Sequence, residues 1–140
     1  MRIVAILIVS ATTAFADHEL EGRNIIEGGT LYAKNCASCH GAKLEGQPNW
    51  QLPDANGVLP APPHDETGHT WHHDNALLFE YTKFGGKAVL ATRGIPDFKS
   101  GMPPFEDVIT DEGIWDILAY IRSTWPEHAQ QAQASRNPPH

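Results

Sequence analysis

Cys36-Ala37-Ser38-Cys39-His40 is the stretch on which the reading of this chain turns. Two thiols separated by two residues can reach the two vinyl groups along one edge of a haem, and the adjacent histidine then falls beneath the iron. The pattern reads as a c-type haem attachment site. Two other chemistries use paired cysteines, and each wants more than is here. A redox dithiol of the thioredoxin kind wants a strand-helix setting, and a zinc site wants a second pair of ligands. The chain has two cysteines in all, so no third thiol can complete a zinc site.

Working outward from the motif, Ile25, Gly28, Leu31, Tyr32 and Asn35 recur at helical spacing, which predicts a short helix leading into Cys36. Gly28 stands eight residues before Cys36 and Tyr32 four before it, a pattern that resembles the N-terminal helix of class I cytochromes c. In that family the glycine lets a second helix cross closely and the aromatic packs against it. The second helix is expected near the C-terminus. Thr110 suits an N-cap, Asp111 and Glu112 suit the positive end of the helix dipole, and Ile114, Ile117, Leu118, Ile121 and Trp125 form an apolar stripe. Pro126 ends or kinks it. Gly113 stands where a capping box would have Glu, which weakens the start. The segment Ile117 to Ile121 resembles the family's C-terminal segment, with Ile117 and Tyr120 as the expected contacts of Gly28 and Tyr32.

Between these ends, Asp74 to Phe84 reads as one further helix, capped by Asp74, with Leu77, Leu78 and Tyr81 on one face and Gly85-Gly86 as its stop. The stretch from Gly46 to His73 holds Pro48, Pro53, Pro60, Pro62 and Pro63 with little periodicity, and is expected to be a long loop. Loops of this length in a compact domain are usually functional or disordered. Trp50, Leu52, Leu59 and Trp71 give this one enough apolar surface to wrap a haem face. The resemblance implies an all-α class I cytochrome c fold, with three or more helices around one covalently bound haem c.

Apart from Met1, Met102 is the chain's one methionine, in Ser100-Gly101-Met102-Pro103-Pro104-Phe105. Gly101 permits a close backbone approach, and Pro103 biases Met102 toward an extended conformation. The segment is similar to the axial methionine loop of class I cytochromes c. The resemblance implies that Cys36 and Cys39 attach the haem and that His40 and Met102 ligate its iron. A thioether in that role raises the reduction potential relative to two histidines. A filled sixth position points to electron transfer rather than catalysis. An axial histidine normally donates its second ring N–H to a carbonyl or carboxylate. In this family the acceptor is a proline carbonyl after the motif, for which Pro48, Pro62 and Pro63 are candidates. Arg93, Trp50 and Trp71 are candidate donors to the haem propionates.

Ordinary class I cytochromes c do not account for His64-Asp65-Glu66-Thr67-Gly68-His69-Thr70-Trp71-His72-His73. Its four imidazoles and two carboxylates suit copper or zinc. They equally suit a polar cover over the haem edge, hydrogen bonds to the propionates, or a pH-sensitive docking patch.

Arg2, the apolar run Ile3 to Val9 and the small residues ending Ala14-Phe15-Ala16 have the form of a secretory signal, which places cleavage after residue 16. A membrane anchor would need roughly 20 apolar residues, and no other stretch approaches that. The expected organisation is a signal peptide over 1–16, a cytochrome domain over 17–126 and a polar tail over 127–140, with the mature protein in the periplasm and without an integral membrane segment. Losing Arg2 leaves nine basic residues against seventeen acidic ones, a formal charge of minus eight, which argues against nucleic acid as a partner. The expected partners are periplasmic redox proteins. Two other functions compete with the electron carrier. One is an open-site haem sensor or peroxidase-like enzyme; the other is a copper-linked redox module using the His64 to His73 loop.

Overall fold

The computed structural model describes residues 19–138, and the expected signal peptide lies outside them. The described residues form α-helices joined by turns and loops. The first helix, α1 (Ile25–Asn35), is capped by Asn24, whose side chain accepts the Glu27 N–H. It runs almost directly into α2 (Ala37–His40), the one-turn helix that carries the haem motif. Tyr32 is buried on α1 with Gly28, whereas Ile25 and Ile26 are exposed. The inward face is therefore narrower than the apolar spacing suggested.

Four further helices follow: α3 (Asn75–Phe84), α4 (Gly86–Thr92), α5 (Asp111–Ser123) and α6 (Glu127–Ala134). Thr110 Oγ1 accepts the Gly113 N–H at 3.2 Å to start α5, with Asp111 and Glu112 in its first turn. Gly113 has a packing reason as well. A Cβ there would lie 2.9 Å from Ile109 Cγ2 and 3.1 Å from Leu31 Cδ1, so the position has no room for a capping-box Glu. Ile114, Ile117, Leu118, Ile121 and Trp125 from this segment dominate the core with Tyr32 and Ile109.

Helices α1 and α5 cross where Gly28 removes a side chain. A Cβ on Gly28 would run into the carbonyl of Asp116 and lie 3.0 Å from Tyr120 Cβ. The nearest atoms at the crossing thus belong to Asp116 and Tyr120, and Ile117 lies in the buried core with Tyr32. The Tyr32 and Tyr120 rings meet at 5.7 Å. Outside the crossing, Arg23 pairs with Glu112, and the Asn24 N–H donates to Asp116 Oδ1.

Helix α3 begins at Asp74, whose carboxylate accepts the Leu77 N–H at 2.7 Å, and Phe79 stacks on Trp115 of α5 at 4.3 Å. Gly85 ends α3 at a φ of +80°, a conformation that favours glycine. Gly86 does not extend the stop; it opens α4. The tail helix α6 docks back on the domain. Gln133, fully buried, donates through Nε2 to Asn75 Oδ1 at 2.6 Å, and Asn137 Oδ1 accepts the Asn75 N–H at 2.7 Å. Among the described residues, no helix is long and apolar enough to cross a membrane.

Candidate haem site

His40 ends α2 with only 7% of its surface exposed, and its Nδ1 lies 2.8 Å from the Pro62 carbonyl oxygen. A carbonyl can only accept, so Nδ1 carries the proton and Nε2 keeps the lone pair that a metal needs. Burial lowers the imidazole pKa and so favours the neutral form, with the Pro62 bond acting in the opposite direction. Of the three prolines expected to serve here, Pro48 is exposed, and Pro63 offers its carbonyl to Thr70 Oγ1 at 3.4 Å. Pro62 is the acceptor. Gly46 N–H donates to the His40 carbonyl at 2.7 Å, and the Tyr32 hydroxyl donates to the Gly41 carbonyl at 2.9 Å, so both sides of the turn after α2 are fixed.

Cys36 is buried and Cys39 exposed. Burial, and then the neighbouring Cys39, pushes the Cys36 thiol up to about 11.

The histidine-rich loop is organised by ring contacts. His64 stacks on His40 with centroids 4.0 Å apart and planes 21° apart, and its Nδ1 lies 2.8 Å from Thr70 Oγ1. His69 stacks on Trp50 at 5.3 Å and meets His73 edge-on, while His72 meets Trp71 edge-on at 3.9 Å. Thr70–His72 forms a single 3-10 turn. Among the described residues, no three His, Cys, Asp or Glu side chains converge on a point where a metal ion could sit. Burial lowers the pKa of His69 and His73, with neighbouring imidazoles adding to the effect. Two of the three expected propionate donors already have protein partners: Arg93 pairs with Glu80 at 2.8 Å, and Trp71 Nε1 donates to the Glu66 carbonyl at 3.2 Å.

Met102 is half-buried in the loop between α4 and α5. Its N–H donates to Ser100 Oγ at 3.2 Å, Ser100 Oγ lies 3.1 Å from the Tyr81 hydroxyl, and Met102's carbonyl accepts the Gly86 N–H at 3.2 Å. Met102 helps line an apolar pocket of about 400 Å³ with Phe84, Ala88, Ala91 and Pro104. The long loop joins this side of the site to the histidine side. It supplies Pro62 to His40, and near its tip Asn56 accepts a bond from Lys99 Nζ at 2.8 Å while Val58 packs on Gly101. The residues fit a haem. They offer a neutral imidazole of the right tautomer, two thiols on one turn, a thioether in an apolar pocket, and exposed apolar side chains at Leu52, Leu59, Phe84, Ile95 and Phe98.

The cytochrome c family model matches residues 25–125, from the start of α1 to the end of the core segment after α5. The chain belongs to the cytochrome c family. This cytochrome is of the class I, monohaem kind, carries one covalently bound haem c at the Cys36, Cys39 and His40 motif, and serves as an electron carrier rather than an enzyme. No solved structure matches the chain significantly.

Proposed function

We propose that His40 and Met102 are the two axial iron ligands of a cytochrome that is exported to the periplasm, where it passes single electrons between redox proteins. Haem c supplies a one-electron iron couple when bound. Cys36 and Cys39 hold it to the chain, and the Pro62 carbonyl orients the ligand face of His40. The Ser100 and Gly86 bonds hold the Met102 backbone. With haem bound, the soft Met102 thioether as a ligand beside His40 would favour the reduced state and would leave the iron no open position for gases or peroxide.

The observation that carries this reading is the His40 tautomer, fixed by Pro62, on the same loop whose tip packs beside the Met102 segment. Carbon monoxide binding to the reduced holoprotein tests it. The carrier resists the gas, whereas Met102→Ala binds it. Ready binding by the wild type would instead favour the open-site sensor or peroxidase-like reading. Export is checked by cell fractionation and the N-terminal mass, which is expected to begin at Asp17. Retention of residues 1–16 on a membrane-bound product would contradict it.

A further inference from the structure

A histidine ligand is attached to its protein by one rotatable arm, so its ring can turn about its own bond to the metal unless something holds it. The Pro62 hydrogen bond restrains the direction of His40 Nδ1, but the angular preference at a carbonyl oxygen is broad and leaves the ring free to rock about that line. A flat group packed against one face of the imidazole removes that freedom. His64 is such a group, with its ring 4.0 Å from that of His40 and tilted by 21°.

His64 is itself tied down at several points. Its N–H donates to the Leu44 carbonyl at 2.8 Å, and its own carbonyl accepts the Trp125 indole N–H at 2.7 Å, which links it to the core segment after α5. Its Nδ1 meets Thr70 Oγ1 at 2.8 Å. The same hydroxyl lies 3.4 Å from the Pro63 carbonyl, so the contact reaches the loop backbone. Tyr32 meets the His64 ring edge-on at 6.2 Å. Backbone, ring nitrogen and ring edge are thus each held by a separate element, and the ring rests on the haem ligand rather than on solvent.

We propose that His64 is a positioning residue for the axial imidazole, with its clamped ring, together with the Pro62 carbonyl, setting the rotation of the His40 plane about the iron–nitrogen bond. This rests on the reading of His40 as an iron ligand. The orientation of an axial imidazole governs how unpaired spin is distributed over a low-spin ferric haem, and the proton shifts of the haem methyl groups read it directly. A side chain that merely fills space would alter stability without altering that pattern.

The test is the proton NMR spectrum of the ferric holoprotein, with the reduction potential and thermal unfolding measured alongside, for wild type, His64→Ala, His64→Phe and Thr70→Val. His64→Ala is expected to change the order or spread of the methyl shifts. His64→Phe, which keeps a flat ring on His40, is expected to retain most of the wild-type pattern. Thr70→Val is expected to move the shifts in the same direction as His64→Ala, but less. An unchanged pattern in folded His64→Ala and Thr70→Val would overturn the proposal and leave the stack as packing. If His64→Ala does not accumulate as holoprotein, Thr70→Val decides the matter in the same way. A wild-type protein with no low-spin ferric methyl shifts would overturn the axial ligand pair itself, and the role of His64 with it.

Discussion

His40 sits among groups that each hold it. A carbonyl takes its ring proton, an imidazole covers one ring face, and the turn around it is pinned by Tyr32 and Gly46. Met102 has fewer restraints. Its backbone makes one bond to a serine hydroxyl and one to a glycine amide, and the residue is half-buried beside an open apolar pocket. The difference has a structural origin. His40 ends α2, which runs on from α1, whose crossing with α5 forms the core, whereas Met102 lies in a loop held against the end of α3 and the start of the short α4. Local stability varies across a fold in this way, and segments with few buried contacts open first. The proposed ligand pair thus has one fixed member and one that can yield.

The largest effect should come from breaking what both sides share. Cys36→Ser with Cys39→Ser is expected to abolish covalent haem, read as loss of haem staining on a denaturing gel; retained staining would contradict the attachment role. Next comes the scaffold behind His40. Gly28→Val drives a branched side chain into the Asp116 carbonyl, and overpacking of this kind costs about 3 kcal/mol or more when the opposing atom is backbone. Denaturant unfolding should show it as a lower midpoint with little change in slope.

Two single hydrogen-bond deletions then sharpen the contrast. Trp125→Phe removes the bond to the His64 carbonyl, and Ser100→Ala removes the one to the Met102 amide, each worth about 1 kcal/mol. Their readouts should separate. Trp125→Phe is expected to lower global stability while the reduced protein still resists carbon monoxide. Ser100→Ala is expected to leave the unfolding midpoint nearly unchanged but to raise the apparent affinity for the gas about fivefold, the equivalent of about 1 kcal/mol in loop opening. Equal behaviour of the two variants would erase the proposed asymmetry.

The smallest effect concerns pH. His69 and His73 are both held below the ordinary imidazole value of 6.5, chiefly by burial. Below about that pH the unfolded chain binds more protons than the folded one. Stability is therefore complete above about pH 6.5 and declines as pH falls beneath it. Thermal unfolding at pH 7.5 and 5.5 should show the decline. His69→Phe, which keeps a ring on Trp50, and His73→Phe should each flatten it, and an unaltered slope in both would assign the effect to other groups.

What could be read from the chain and what could not differ in kind. The haem motif, the Gly28 and Tyr32 spacing and the α5 stripe are patterns within a few turns of one helix, so their periodicity is visible in the letters alone. Helix α4 was not, because Gly86 follows the Gly85 stop and seven residues are too few to establish a period. The choice of Pro62 over its neighbours depends on how a long loop closes, and local sequence does not encode that. The stack of His64 on His40 joins residues 24 apart. Its only visible signal was an unexplained excess of histidine. The tail was legible as polar but not as docked, since Asn75, Gln133 and Asn137 become a buried network only after α3 and α6 meet. Gly113 reads as a poor cap until Leu31 and Ile109 arrive beside it.

The central claim, that His40 and Met102 ligate one iron, is tested most directly by the absorption spectrum of the ferric holoprotein beside that of Met102→Ala. The wild type is expected to show a weak far-red sulfur-to-iron band that is absent from the variant, with covalent haem retained in both. A wild-type spectrum without that band, or a band that survives in Met102→Ala, would contradict it.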